Sequence, residues 1–319
     1  MILCIGEAVI DMFQKNVPGL GEVFLPLPGG CSYNTSIAIS RLGSPAAFLG
    51  RLSKNFFGEI QTRRLRENKV RDDLLIRCNQ NPILAFIKTE EGREPQYAFY
   101  DEGTADRLLS IEELPPLPAD AECVVFGSVS MCMEPIATTI ETFINKAAEK
   151  TVIAFDPNIR PMMIKDRAAY LKRFEKWAGV STIVKISAED YEYIDSGKSP
   201  REALRNILEM GSRLAIITLG PDGAAAMLRR DDGSVIETDS PAFDAGTVAD
   251  TVGAGDTFLG AFLVWLQQRE KLSHNAIASL SEKDLHDALT FANKAAAIVC
   301  TRCGAEPPTL EEVEKLTLS

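Results

Sequence analysis

The chain has 319 residues, 45% of them apolar and 25% charged, so it can bury a sizeable core and needs no disulfide staple. Its formal net charge of −11 sets an averaged field that repels nucleic acid and anionic membranes, although backbone N–H groups can still hold a phosphate locally. Residues 1–11 lack a basic region, and neither they nor any later stretch offer an apolar run long enough for a signal peptide or a membrane span. A cytoplasmic setting with neither membrane nor nucleic-acid partner is therefore expected.

In chain order, the apolar residues 2–6 predict a buried first strand. Over residues 13–30, four Gly and three Pro separate short apolar pieces, which predicts extended strands and turns. Helical spacing predicts a helix over 34–42, stopped by Gly43, then a short strand at 47–50 and a helix over 57–68. Residues 84–87 and 96–100 flank Thr89-Glu90-Glu91-Gly92 and predict a hairpin. Two β-like segments, 13–33 and 82–105, thus interrupt the chain and predict one small sheet. The remainder, 1–12, 34–81 and 106–319, is expected to form an α/β core.

Strands at 123–129, 152–156, 182–186 and 214–219 alternate with helices near 134–149, 166–178 and 200–210. That alternation predicts a mainly parallel sheet covered on both faces, a three-layer α/β/α architecture. A hairpin around Asp231-Asp232-Gly233 and two helices, about 256–269 and 282–300, complete the reading. The seven cysteines are scattered, several inside apolar runs, and are expected to be reduced. Cys300 and Cys303 form a C-x-x-C without a second pair at zinc spacing, and His274 and His286 stand far off in sequence, so a chance spacing is expected.

The strongest chemical signal is Asp250-Thr-Val-Gly-Ala-Gly-Asp256, followed at once by an amphipathic helix with Phe258, Leu259, Phe262, Leu263, Trp265 and Leu266 on its apolar side. Gly253, Ala254 and Gly255 are small enough for the backbone to approach a ligand closely. At a helix N-terminus their N–H groups favour an anion. A carboxylate directly after them, Asp256, suits proton acceptance; the other reading is a helix cap. The chain has no Walker A motif and no G-x-G-x-x-G after its first strand, which speaks against a P-loop kinase and a dinucleotide-binding dehydrogenase.

The stretch at 250–256 resembles the D-T-x-G-A-G-D signature of the ribokinase-like (PfkB) carbohydrate kinases. The resemblance implies that Asp256 is a catalytic base and that Gly253, Ala254 and Gly255 form the anion hole. A second signature, G-G-x-x-x-N-x-A followed by R-L-G, stands here as Gly29-Gly30-Cys31-Ser32-Tyr33-Asn34-Thr35-Ser36 and Arg41-Leu42-Gly43, with Ser36 for the small Ala. It implies that Gly30 and Asn34 hold sugar hydroxyls. The opening Gly6-Glu7 to Asp11 adds the Asp11 carboxylate, whose other reading is a turn residue. Sugar hydroxyls need paired donors and acceptors, which Asp and Asn provide.

Thr218, Gly220 and Gly223, then Asn293 and Gly304, match nucleotide-binding segments, although the two glycines also suit plain turns. Lys185-Ile-Ser-Ala-Glu-Asp190 stands in the place of an N-x-x-E motif that organises Mg²⁺ and phosphate, with Ser187 for Asn and Asp190 for Glu. The resemblance thus implies nucleotide contacts from Lys185 and Ser187, Mg²⁺ near Asp190 through water, and a monovalent cation near Asp250. Asn55 stands where relatives often carry Asp.

Asp156-Pro-Asn-Ile-Arg-Pro161 and the stretch 98–105 are similar to segments of bacterial fructokinases, which implies sugar contacts from Asn158, Arg160 and Phe99. Asp101 stands where many relatives have Arg. The implied activity is ATP-dependent phosphorylation of a sugar hydroxyl, fructose to fructose 6-phosphate foremost. A 2-keto-3-deoxygluconate kinase is the alternative, followed by a nucleoside kinase or a non-catalytic sugar-binding relative. ATP and Mg²⁺ are the implied cofactors, and the resemblance allows K⁺ and a homodimer through a lid formed by 13–33 and 82–105.

Overall fold

Runs that are apolar at every position can bury both faces, and such runs build the central sheet of this chain. The structure is a computed structural model that describes residues 1–88 and 96–316. The first half runs β1 (Ile2–Ile5), β2 (Val9–Val17), β3 (Gly21–Gly29), α1 (Cys31–Arg41), β4 (Ala46–Leu49), β5 (Arg51–Ser53), α2 (Phe56–Glu67), β6 (Ile76–Cys78), β7 (Leu84–Lys88) and β8 (Gln96–Tyr100). Then follow β9 (Cys123–Gly127), α3 (Ile136–Ala147), β10 (Val152–Asp156), α4 (Arg167–Val180), β11 (Ile183–Ser187), α5 (Ala188–Ile194), α6 (Pro200–Glu209) and β12 (Leu214–Thr218). The chain closes with β13 (Ala224–Arg229), β14 (Val235–Ser240), α7 (Ala254–Gln267), α8 (His274–Ala278), α9 (Glu282–Cys300) and α10 (Leu310–Lys315).

Among the described residues the large sheet has the order β14-β13-β12-β11-β10-β9-β1-β4. It is parallel from β4 to β12, and β13 and β14 add an antiparallel edge. Side chains alternate across it: Ile2 and Cys4 face one apolar cluster with Tyr33, Phe262 and Leu289, whereas Leu3 and Ile5 face another with Phe143, Phe174 and Trp177. Helices α1, α7 and α9 cover the first face and α3, α4 and α6 the second. The three-layer α/β/α architecture expected from the alternation is thus present. No helix among the described residues is long and apolar enough to cross a membrane.

The two β excursions meet in one small sheet of order β3-β2-β7-β8. β2 pairs antiparallel with β3 and parallel with β7, and β7 pairs antiparallel with β8. The boundaries differ from the sequence reading at both ends of the first excursion. β2 begins at Val9 because the buried Val9 and Ile10 carry the strand outwards from the core, so Asp11 lies on the small sheet. Residues 31–33 belong instead to α1, because Gly30, at φ 111°, turns the chain straight from β3 into the helix. The expected turn at 89–92 lies outside the described residues.

Other differences are local. The strand read at 123–129 ends at Gly127, where a side chain would strike the Asp156 carbonyl, and continues as a 3₁₀ turn over Ser128–Cys132. The helix read from 256 starts at Ala254, which puts Asp256 inside its first turn. The β5–β6 pair and the helices α5, α8 and α10 had no counterpart in the reading, since three to seven residues hold too little of a period to be seen. All seven cysteines are free.

Candidate active site

The carboxyl ends of parallel strands gather backbone and side-chain groups along one edge of a sheet. Here Asp156 ends β10, Ser187 ends β11 and Thr218 ends β12, with Ser187 and Thr218 in direct register. The N-terminus of α7 carries Gly253, Ala254 and Gly255. Gly253 is the N-cap residue in the left-handed conformation, φ 78°, with no side-chain cap. The Ala254 N–H donates to the Thr251 carbonyl at 3.2 Å, while the neighbouring N–H groups of the first turn and the positive end of the helix dipole remain for an anion.

Asp256 is 5% exposed. Its Oδ2 accepts from Asn34 Nδ2 at 2.9 Å, and its Oδ1 faces Asn158 Nδ2 at 3.5 Å. Asn34 comes from α1; Asn158 comes from the turn after β10, at φ 38°, a left-handed conformation that Asn tolerates. Burial pushes the Asp256 pKa up to about 6, aided by the nearby Asp156 carboxylate and opposed by the Asn34 amide, the Cys31 thiol and Lys185. The capping reading fails, because Gly253 is the cap residue and the Asp256 carboxylate bonds side chains from elsewhere.

Lys185 is buried, and its ammonium lies 2.9 Å from Asp156 Oδ2. The Cys31 sulfur and carboxylate oxygens of Asp156 and Asp256 lie within 4.8 Å of one another. Burial alone would drive the Lys185 proton off, but Asp156 outweighs it and raises the pKa. The ammonium thus supplies the positive charge that this acidic cluster needs.

On the small sheet, Asp11 shares a row with Leu27, Ala85 and Phe99, so the four side chains share a face. Its pKa is pushed up to about 7 by burial and by Asp256, while the Arg160 guanidinium pulls it down. Arg160 Nη1 donates to the carbonyl of Ile159 at 3.0 Å. Asp11, Leu27, Arg64, Val252, Gly304 and Ala305 line a cleft of about 50 Å³ between the small sheet, α2, the residue before the α7 cap and the segment that follows α9. A side chain at Gly30 would strike the Glu7 carbonyl. Glu7, fully buried, accepts from Cys31 N at 3.1 Å and from Ser130 Oγ, and so fixes the start of α1 that carries Asn34.

The other expected positions divide. Asp190 Oδ1 accepts from Ile159 N at 2.9 Å, and its backbone N–H donates to Ser187 Oγ, which caps α5. Both Asp250 oxygens accept backbone N–H groups, from Val252 and from Gly304, each at 3.0 Å. Gly220 (φ 58°) and Gly223 (φ 93°) form the turn between β12 and β13. The Asn293 amide donates to the carbonyls of Ser240 and Pro241. Asn55 caps α2 through Phe57 N and Gly58 N, as an Asp would. Asp101 is ion-paired with Arg107 at 2.6 Å. Sequence reasoning missed Glu7, Cys31, Arg64 and Glu306; Arg41 and Arg64 hold Glu306 at 3.0 and 2.7 Å, beside Gly304. A larger groove of about 400 Å³, between α4, α5 and α6, holds none of these groups.

A family model described as pfkB family carbohydrate kinase matches residues 1–312. The fructokinase of Rhizobium leguminosarum bv. trifolii is 37% identical over 288 residues, 90% of this chain and 86% of that protein. Fructokinase-1 of Zea mays is 31% identical over 326 residues, covering 100% and 97%. The crystal structure of fructokinase with bound ATP from Xylella fastidiosa matches with a TM-score of 0.87 at 27% identity, covering 98% of this chain and 96% of that one.

Proposed function

The chain belongs to the pfkB family of carbohydrate kinases, and from that premise we propose that it transfers the γ-phosphoryl group of ATP to a hydroxyl of fructose, giving fructose 6-phosphate. The observation that carries this reading is the Asp256 carboxylate, buried in the first turn of α7 directly after Gly253, Ala254 and Gly255 and held by two amides. Fructose enters on the similarity to fructokinases at 37% and 31% identity.

Asp256 takes the proton of the attacking hydroxyl. A base whose pKa is near 6 is ionised at neutral pH yet basic enough to share that proton as the O–P bond forms. Asn34, Asn158, Asp11, Gly30, Arg160 and Phe99 orient the sugar, and the N–H groups of Gly253, Ala254 and Gly255 stabilise charge on the phosphoryl oxygens. The nucleotide lies along Lys185, Ser187, Thr218, Gly220, Gly223, Asn293 and Gly304. Asp190 fits Mg²⁺ by the chemistry of its donor: a largely buried carboxylate, fixed through Ile159 N–H, is a hard oxygen ligand. There Mg²⁺ would neutralise phosphate charge. K⁺ beside Asp250 would share a carboxylate that already holds two backbone N–H groups. The small sheet acts as a lid: Asp11, carried on that sheet, lines a cleft with Gly304 and Ala305, and closure of the sheet over a bound sugar would exclude water. Its other face, with the edge-to-face pairs Phe24–Phe86 and Phe86–Tyr100, supports a homodimer through the lid.

An ADP-release assay over fructose, 2-keto-3-deoxygluconate and nucleosides tests the substrate. Fructose should give the highest kcat/KM; a higher value for either rival transfers the assignment to it. The pH dependence follows from the two carboxylates. Asp256 must be ionised to accept a proton and Asp11 to accept sugar hydroxyls, and both pKa values are raised, to about 6 and about 7. Hence kcat/KM for fructose should be level above about pH 8 and fall as pH drops through 7 and 6, with protonation removing first Asp11 and then the base. A level profile down to about pH 5 would contradict those assignments.

A further inference from the structure

Lys185 and Asp156 form an ion pair at 2.9 Å with side chains only 3% and 1% exposed. A β-carbon built on Gly255 would come within 2.8 Å of the Lys185 nitrogen, so the ammonium fills the space that a side chain at 255 would take. In a helix that direction leans towards the N-terminus, which in α7 is the end with the unbonded N–H groups. A cation there is repelled by the positive end of the helix dipole. Burial of the pair is costly too, and an uncharged pair of similar volume is often as stable. Asp156 Oδ1 is buried without a partner, so even the carboxylate is incompletely satisfied. An anion arriving at the first turn of α7 would turn the repulsion into attraction.

We propose that Lys185 supplies a fixed positive charge to the anion hole of Gly253, Ala254 and Gly255, that Asp156 is the positioning residue that holds the ammonium there, and that position 255 is glycine to admit it. The inference rests on the phosphotransfer reading above and deepens it. Asp156 ends β10 and Lys185 lies on the adjacent β11, so the charge is mounted on neighbouring strands of the central sheet. A charge so placed attracts the γ-phosphoryl group most strongly when negative charge builds on its oxygens. It also favours ATP over ADP, because ADP brings no phosphoryl group to the hole.

The variants Lys185→Met, Asp156→Asn and the double variant, each in the full chain, test this. Met keeps the length of Lys, and the double variant leaves no unpaired buried charge, so it serves where Lys185→Met alone fails to fold. In Lys185→Met and in the double variant kcat should fall on the order of 10²-fold. The ratio of affinities for a non-hydrolysable ATP analogue and for ADP, measured by calorimetry, should fall about tenfold. Asp156→Asn keeps the cation but loosens its hold, and should lose about tenfold in kcat. An ion pair that merely ties β10 to β11 would change Tm and leave the nucleotide ratio alone. Wild-type kcat and an unchanged ratio in the double variant would overturn the proposal. The wild-type rate on fructose, measured alongside, reports on the phosphotransfer reading separately.

Discussion

Asp256→Asn should lower kcat on the order of 10²–10⁴-fold while the protein stays folded and still binds ATP and fructose. The amide has the size of the carboxyl group, and its oxygen can still accept from Asn34, now 2.9 Å away. What it lacks is basicity. The stability of the variant has its own signature. With a pKa raised to about 6, the folded chain prefers the neutral Asp256. The stability this contributes is full below the ordinary carboxylate pKa and is lost as pH rises through 6. Asn is neutral throughout, so the Tm of the variant relative to wild type should rise across that window. Near-wild-type kcat in a folded preparation would leave Asp256 without a role as base.

Gly253→Ala should be the second most damaging change, by a different route. At φ 78° the residue is left-handed, which costs a side-chain-bearing residue about 1–2 kcal/mol. The new β-carbon would also stand 2.6 Å from Ala305 Cβ. Either the first turn of α7 or the segment around Ala305 must shift, and Val252, next to Gly253, and Ala305 both line the cleft that holds Asp11 and Arg64. Displacing one anion-hole donor lowers kcat on the order of 10²-fold. Circular dichroism should show intact secondary structure and a lower Tm. A kcat within about tenfold of wild type would mean that the Gly253 end of the turn does not contact the transferred group.

The core layers were legible because β1, β9, β10 and β12 are apolar at nearly every position, and only a sheet covered on both faces buries such runs. The start of α7 was legible from the small residues before Asp256. The partners of those residues were not. Asn34 meets Asp256 across 222 positions of sequence, and Lys185 meets Asp156 only because β10 and β11 are neighbours. Cys31 reads as one more small apolar residue until α1 carries it to the base. The start of β2 was misjudged because the polar Asp11 interrupts an apolar run, although pairing with Leu27 and Ala85 keeps it in the strand. Arg64 looks like one of several charges on an exposed helix, yet it reaches the Ala305 carbonyl at 2.7 Å.

The measurement that bears most directly on the central claim is identification of the products by ³¹P and ¹³C NMR after the chain has acted on ATP and fructose. The account predicts ADP and fructose 6-phosphate in equal amounts. ADP with inorganic phosphate instead, or a phosphate on another carbon of the sugar, would contradict it.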